Sequence, residues 1–258
     1  MATLQVVQIG ALFAAGVMAG LCNAIAGGGT FFSFPVFIAM GLPPVIANAS
    51  NQVAVLPGTF FAAYGYRREF TQHARTIRVS AIIAFLGGIS GAIALVYIDN
   101  HAFTRLIPFL LLFATLIFTF GQHLSAWLIG KNYRSDWSNP NLFARVIEYF
   151  IGVYGGFFGA GVGIMLMAGL MMMGVTDLQL NNALKNLLAS MITLVSALVL
   201  AFSGLIEWSY TGIVFVGAMV GGGVGARMAQ RIPALWLRRI VMSVGFLLSL
   251  VYFKKYYF

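Results

Sequence analysis

The stretch Ala-Gly-Gly-Gly-Thr at residues 26–30 and the stretch Gly-Ala-Gly-Val-Gly at residues 159–163 each interrupt a long apolar run. Each glycine in a helix interior costs about 1 kcal/mol relative to alanine, so a cluster of glycines favours the end of a helix. A short apolar piece follows each interruption, over residues 30–41 and 164–173. The two clusters therefore predict two broken helices.

The apolar runs around these clusters identify the class of protein. Of the 258 residues, 60% are hydrophobic and 8% are charged, whereas soluble domains carry about 25% charged residues. The long runs match the roughly 20 apolar residues that a membrane-spanning helix needs. They are continuously apolar, without the alternating polarity of membrane β-strands. The sequence therefore predicts an all-α, polytopic integral membrane protein that is surrounded by the lipid bilayer.

The charge balance fits a membrane protein. There are 15 lysine and arginine residues against 6 aspartate and glutamate residues, which gives a net charge of +9. Most of the basic residues lie in predicted loops, where lipid headgroups favour them, so we expect no nucleic-acid partner. The single cysteine, Cys22, excludes an intrachain disulfide and a cysteine-based metal site. We expect no metal and no cofactor.

The second half of the sequence repeats the order of the first. A shift of 133 residues places Gly28 on Gly161 and Gly41 on Gly174. Each half reads as an apolar run, a glycine break, a short apolar piece, a turn and three long runs, the first of which is 45–66 in the first half. This order predicts a broken, re-entrant helix pair and three full spans in each half. The predicted division is a first membrane repeat at 1–130, a polar cytoplasmic linker at 131–142 and a second membrane repeat at 143–258.

The distribution of charge predicts the orientation of the two repeats. The basic segments 67–78 and 227–239 both belong on the cytoplasmic side by the positive-inside rule. Segment 67–78 follows the run 45–66, whereas the corresponding loop of the second half contains Glu207 and falls outside in this arrangement. The two repeats are therefore predicted to have inverted topology.

Inverted repeats with interrupted helices are the sequence sign of a secondary transporter. Backbone N–H and C=O groups inside lipid must pair internally, so a break is tolerated only where it lines a cavity within the protein. The N-terminus of a short helix offers free N–H donors and partial positive charge, which favour an anion. The backbone positions predicted to bind a small anionic substrate are Gly28, Gly29, Thr30, Gly161 and Gly163.

Polar residues inside apolar runs are the second group of candidates. Asn51 and Gln52 lie early in one long run, and Lys185 and Asn186 occupy the corresponding place in the second half. An ionisable side chain in a membrane segment is a functional hypothesis by default. Two interpretations of Lys185 stay open, namely contact with the anion or an ammonium group that snorkels to the membrane interface. Asn51 is predicted to form hydrogen bonds across the interface between the repeats.

Other features are predicted to be structural. The GxxxG pairs at 16–20, 87–91 and 217–221 favour close packing of helices. Asp177 precedes a long run and is predicted to cap its helix.

The sequence contains no pattern that is typical of an enzyme. It shows no Ser-His-Asp set and no paired carboxylates, and Glu148 is predicted to pair with Arg145. A transporter is therefore the favoured interpretation. An anion channel, a membrane-embedded enzyme and a membrane subunit of a larger assembly are the alternatives, and homo-oligomers stay open.

The motifs at both breaks match those of a known family. Residues 23–30 contain the AGGG stretch, and residues 41–44, Gly-Leu-Pro-Pro, form a G-x-P-P turn before Asn51 and Gln52. Residues 156–163 read Gly-Phe-Phe-Gly-Ala-Gly-Val-Gly, and Lys185 follows. Both sets resemble the TauE/SafE family of sulfite exporters over nearly the whole chain. Two departures are Ala-Ser-Asn-Gln at 49–52, where the family often has G-T-N-K, and Ala160, where many members have proline.

The resemblance implies a function. A member of this family is a permease of the cell (inner) membrane that moves sulfite or small organosulfonates, with proton coupling. Together with the breaks and the polar residues, it predicts that the anion lies between the repeats near mid-membrane. The repeats would then move around this site to give alternating access.

Overall fold

The computed structural model describes residues 5–25, 27–65, 74–130, 140–228 and 234–258. Within these ranges the chain forms helices and no strand, which confirms the all-α class. The basic segments 67–73 and 229–233 and most of the predicted linker lie outside the described residues. The cytoplasmic position of these segments, the bounds of the two repeats and their inverted topology stay predictions.

The helices of the first half are α1 (Val6–Ile25), α2 (Thr30–Ala39), α3 (Pro44–Ala54), α4 (Leu56–Gly65), α5 (Ala74–Tyr97) and α6 (Asn100–Gly130). The helices of the second half are α7 (Leu142–Phe157), α8 (Val162–Met172), α9 (Leu178–Phe202), α10 (Trp208–Met228) and α11 (Ala234–Tyr257). The order of elements is the same in both halves. In that order α7 corresponds to α1, α8 to α2, α9 to α3 with α4, α10 to α5, and α11 to α6.

Five of the described helices are long and apolar enough to cross a membrane. Shorter apolar helices, Thr30–Ala39 and Val162–Met172, directly follow the two breaks. The multi-pass membrane class predicted from composition is therefore confirmed. The five candidate spans are Val6–Ile25, Thr76–Tyr97, Asn100–Gly121, Gln179–Phe202 and Trp208–Gly225.

The predicted full span over residues 45–66 is not one continuous helix. This segment forms the two short helices α3 and α4, which meet at Val55. Pro57 explains the interruption, because proline has no N–H to donate to the carbonyl of Val53 and its ring crowds that carbonyl. The corresponding helix α9 contains no proline and runs unbroken for 25 residues. The first half therefore has two unbroken long helices after its broken helix pair, and the second half has three.

At the first break the chain ends α1 and turns back along it. The N–H of Gly27, whose φ is +74°, donates to the C=O of Cys22 at 2.7 Å. Gly29 lies directly against Ala19 of α1, where a Cβ atom on Gly29 would overlap the Ala19 carbonyl oxygen. In a continuous helix, residues 19 and 29 would be separated by about 15 Å. The contact therefore shows the chain reversal that a re-entrant pair requires.

The second break is built in a similar way. The N–H of Gly159, whose φ is +79°, donates to the C=O of Tyr154 at 3.2 Å. Gly161 has a φ of +75° and directly precedes α8. Glycine adopts this left-handed conformation without the steric cost that a side chain brings, so the two glycines fix where α7 ends and α8 begins.

The two short helices also end in the same way. Gly41 after α2 and Gly174 after α8 have φ values of +85° and +99°. In each case the glycine N–H donates to the carbonyl three residues earlier at 3.0 Å, and the next N–H donates to the carbonyl five residues earlier. This is the Schellman motif. The matched ends support the correspondence between the two halves.

The GxxxG pairs at 16–20 and 217–221 pack against each other, as predicted for close helix contacts. A Cβ atom on Gly16 or Gly20 would overlap backbone atoms of α10. A Cβ atom on Gly217 or Gly221 would likewise overlap backbone atoms of α1. Glycine at these four positions therefore lets α1 and α10 touch backbone to backbone.

The GxxxG pair at 87–91 forms a similar backbone contact, between α5 and α7. A Cβ atom on Gly87 would meet Gly152 Cα at 2.9 Å, and one on Gly91 would meet Phe157 N at 2.7 Å. Both glycine contacts join a helix of one half to a helix of the other. Because α1 corresponds to α7 and α10 to α5, the contact between α1 and α10 corresponds to the contact between α7 and α5.

The predicted ion pair on α7 is present. Arg145 Nη1 donates to Glu148 Oε2 at 2.8 Å and to Ser80 Oγ of α5 at 2.7 Å. The Glu148 side chain is buried, with 2% of its surface exposed. Arg145 therefore neutralises a buried carboxylate and links α7 to α5.

The predicted cap at Asp177 is also present, and it gives a test of the start of α9. Asp177 Oδ1 accepts the N–H of Leu180 at 2.7 Å. Replacing Asp177 with alanine is expected to lower the free energy of unfolding by about 1 kcal/mol, because this N–H loses its acceptor. Asp177→Asn keeps an acceptor and is the control. Thermal unfolding in detergent measures both, and equal melting temperatures for Asp177→Ala and wild type would contradict the cap.

Candidate functional site

The N-terminus of α2 differs from the sequence expectation of free N–H donors. Asn23 Oδ1, in the last turns of α1, accepts the N–H of Gly28 at 3.2 Å and the N–H of Gly29 at 2.8 Å. Both glycines are buried. The two donors predicted to face an anion are therefore already bonded within the protein, because an amide side chain lies one turn before the break.

The next residues form a buried polar cluster between α2 and α3. Thr30, Ser33 and Asn51 are each at most 4% exposed. Asn51 Nδ2 donates to Thr30 Oγ1 at 3.4 Å, and Ser33 Oγ donates to Asn51 Oδ1. Asn51 thus bonds within the first half, and the prediction that it bonds across the repeat interface is wrong.

Two neighbours of Asn51 make the bonds between the halves instead. Asn48 Nδ2 donates to the C=O of Phe157 at 2.8 Å. Gln52 Nε2 donates to the C=O of Gly155 at 2.8 Å and to that of Gly156 at 3.2 Å. These carbonyls belong to the last turn of α7, where no further helical N–H follows. The amides of α3 therefore satisfy the end of α7 at the second break.

The two breaks meet at Gly27 and Gly163. A Cβ atom on Gly163 would lie 3.2 Å from Gly27 Cα and 3.6 Å from Lys185 Cδ. The aliphatic part of the Lys185 side chain therefore passes the first turn of α8, next to the first break. A Cβ atom at position 163 would therefore be in tight contact with Gly27, and glycine favours this three-way contact between elements that are far apart in the sequence.

Lys185 is the charged residue at this meeting point. Its side chain is 1% exposed, and its Nζ is buried without a hydrogen-bond partner among the described residues. A snorkelling lysine keeps its ammonium group at the interface, and this ammonium group lies inside the protein. An unpaired buried charge is costly. The ammonium group of Lys185 therefore requires a hydrogen-bond acceptor that the described residues do not supply.

Asn186 has a second buried donor without a hydrogen-bond partner among the described residues. Its side chain is 3% exposed, and its Nδ2 is buried with no partner in the described part of the chain. Lys185 and Asn186 are adjacent on α9. Gly161, by contrast, has only Ala114 near its Cβ position, at 3.5 Å or more, and it shapes the start of α8. The buried donors of the candidate site that lack a partner among the described residues, those of Lys185 and Asn186, thus lie in the second half.

Sequence reasoning assigned no role to Asn23, Ser33 and Tyr154. Tyr154 Oη donates to the C=O of Ala160 at 2.9 Å and so closes the second break across its own loop. Asn23 had a visible signal, because it is a polar residue in an apolar run just before the glycines. Ser33 and Tyr154 had none, since their roles depend on the direction of their side chains. No group of three or more potential metal ligands is found among the described residues.

The described helices define a polytopic membrane protein, and comparison with known proteins gives its class. The chain belongs to the TauE/SafE family: the family described as "Sulfite exporter TauE/SafE" matches residues 12–252. No solved structure matches the chain.

Three relatives cover nearly the whole chain. A "Probable membrane transporter protein" of Haemophilus influenzae is 29% identical over 92% of this chain and 91% of its own length. The probable membrane transporter protein YfcA of Escherichia coli is 24% identical over 93% and 88%. The probable membrane transporter protein ORF9 of a Sinorhizobium species is 25% identical over 93% and 90%. The family and these names point to a membrane transporter.

Proposed function

We propose that this protein is a secondary transporter that moves a small sulfur oxyanion across the inner (cytoplasmic) membrane. The substrate class is sulfite or an organosulfonate, and the mechanism is alternating access. The family description supports the substrate class, and the two re-entrant pairs support the mechanism, because interrupted helices are typical of secondary transporters.

The observation that carries this proposal is the state of Lys185. Its buried Nζ has no partner among the described residues, and its side chain passes the start of α8 beside Gly27 and Gly163. An anion bound there would receive a charge-assisted hydrogen bond from the ammonium group. The Asn186 Nδ2 group would add a second donor, and the N-terminus of α8 would add partial positive charge. All three groups favour negative charge.

The amide groups of the first half have supporting roles in this proposal. Asn23 satisfies the N–H groups of the first break, and Gln52 satisfies the carbonyl groups at the end of α7. Backbone groups left unpaired inside a membrane protein cost several kcal/mol each. These side chains therefore stabilise the two breaks, and the substrate would meet the donors of α9 at the N-terminus of α8.

Flux measurements test the proposal against its alternatives. The purified protein is reconstituted in liposomes, and uptake of labelled sulfite or methanesulfonate is measured. A carrier is expected to saturate with substrate and to accelerate when unlabelled substrate is present on the opposite side. Flux that does not saturate and shows no such acceleration would indicate an anion channel. If the protein binds the anion in detergent but transports none, it is a subunit that needs other chains.

A further inference from the structure

The inside of the protein holds one uncompensated positive charge. Among the aspartate, glutamate, lysine and arginine side chains whose burial the structure describes, Glu148 and Lys185 are buried. Glu148 is neutralised by Arg145 at 2.8 Å. Lys185 has neither an ion-pair nor a hydrogen-bond partner among the described residues.

Three of the five helices that pack against the helix of Lys185 carry no charged residue. Helix α9 packs against α3, α4, α5, α7 and α8. Helices α3, α4 and α8 contain no charged residue. Helix α7 carries the Arg145–Glu148 pair, and the basic residues of α5 lie in its first turns, where Arg78 is exposed.

The position in the first half that corresponds to Lys185 is neutral. It is Gln52, which lies 133 residues earlier. Its Nε2 is already bonded to the carbonyl groups of Gly155 and Gly156. The first half therefore has an uncharged amide that is already hydrogen-bonded at the position where the second half has an ammonium group without a partner.

We propose that the site selects anions that carry a single negative charge. This inference rests on the proposed function and narrows its substrate class to sulfonates and hydrogen sulfite, as opposed to dianions such as sulfate. One ammonium group neutralises one negative charge, and a dianion would leave a second charge buried without a partner. The N-terminus of α8 adds only about half an elementary charge.

Calorimetry with two anions of the same shape tests this selection. Sulfate carries two negative charges, whereas fluorosulfate is a tetrahedral anion of similar size with one. In the purified wild-type protein, sulfate is expected to bind at least about tenfold more weakly than fluorosulfate or methanesulfonate. Equal or tighter binding of sulfate would overturn the charge selection and leave the proposed transport of anions intact. If none of the three anions binds, the proposed anion site itself is wrong.

A second charge placed at Gln52 tests the physical cause. In Gln52→Lys the new ammonium group keeps donors for the carbonyl groups of Gly155 and Gly156, and sulfate affinity is expected to rise at least about tenfold relative to fluorosulfate. Gln52→Met removes the same amide without adding charge, so its ratio of the two affinities should equal that of wild type. An unchanged ratio in folded Gln52→Lys would overturn the proposal. If this variant does not fold, the comparison in wild-type protein decides.

Discussion

Replacing Lys185 with methionine is expected to weaken the binding of methanesulfonate by at least about tenfold. A charge-assisted hydrogen bond contributes roughly 1.5–3 kcal/mol, and 1.4 kcal/mol is one decade in affinity. The variant without ligand is expected to melt at a higher temperature than wild type. The reason is that a charge inside a membrane protein costs about 2.5–3.5 kcal/mol on insertion scales, and methionine keeps the length without the charge.

A matched control separates the site from general loss of charge. Lys254 is an exposed lysine in the last turn of α11, and Lys254→Met should bind methanesulfonate as wild type does. Lys185→Arg should keep part of the affinity with a changed preference among anions, because a planar guanidinium replaces a point charge. Equal affinities of wild type and Lys185→Met in calorimetry would remove Lys185 from the binding site.

A single methyl group at Gly221 is expected to reduce the free energy of unfolding by about 1–3 kcal/mol. The added Cβ would overlap the carbonyl oxygen of Val17 in α1, and the obstruction is backbone, which cannot turn aside as a side chain can. Alanine has a higher helix propensity than glycine by about 1 kcal/mol. Helix propensity alone would therefore make Gly221→Ala stabilising, whereas the overlap with α1 is expected to make it destabilising.

The control for Gly221 lies two residues further along the same helix. A Cβ on Gly223 would have nothing within 4 Å, so Gly223→Ala should be neutral or stabilising. Thermal unfolding of both variants in the same detergent makes the comparison. If Gly221→Ala and Gly223→Ala melt alike, α1 and α10 do not touch through their backbones as described.

The sequence was sufficient to predict the parts of the fold that depend on composition and spacing. Glycine clusters at 26–30 and 159–163 end helices by a local effect, so both breaks were visible without coordinates. The break at Val55 was missed because the residues next to it, from Val53 to Leu56, are all apolar, although Pro57 was a local signal. Hydrophobicity identified the membrane segment and did not show whether its helix was continuous.

The candidate site was less predictable, because it depends on which groups are already bonded. Gly28 and Gly29 were predicted to offer free donors, but an amide five residues before Gly28 occupies them both. Gln52 and Lys185 occupy corresponding positions, yet one bonds to α7 and the other has no partner among the described residues. Such differences arise from the directions of side chains across the interface between the halves, which no single-sequence pattern encodes.

The backbone contact between α1 and α10 has a consequence for biosynthesis. Helix α1 leaves the ribosome before α10, and the contact of Gly16 and Gly20 with the backbone of α10 cannot form until α10 has followed. Contacts between segments so distant in sequence form late and slow folding. During that interval the glycine surface of α1 is open to lipid or to other proteins of the insertion machinery. The packing of α1 is therefore completed only when α10 arrives.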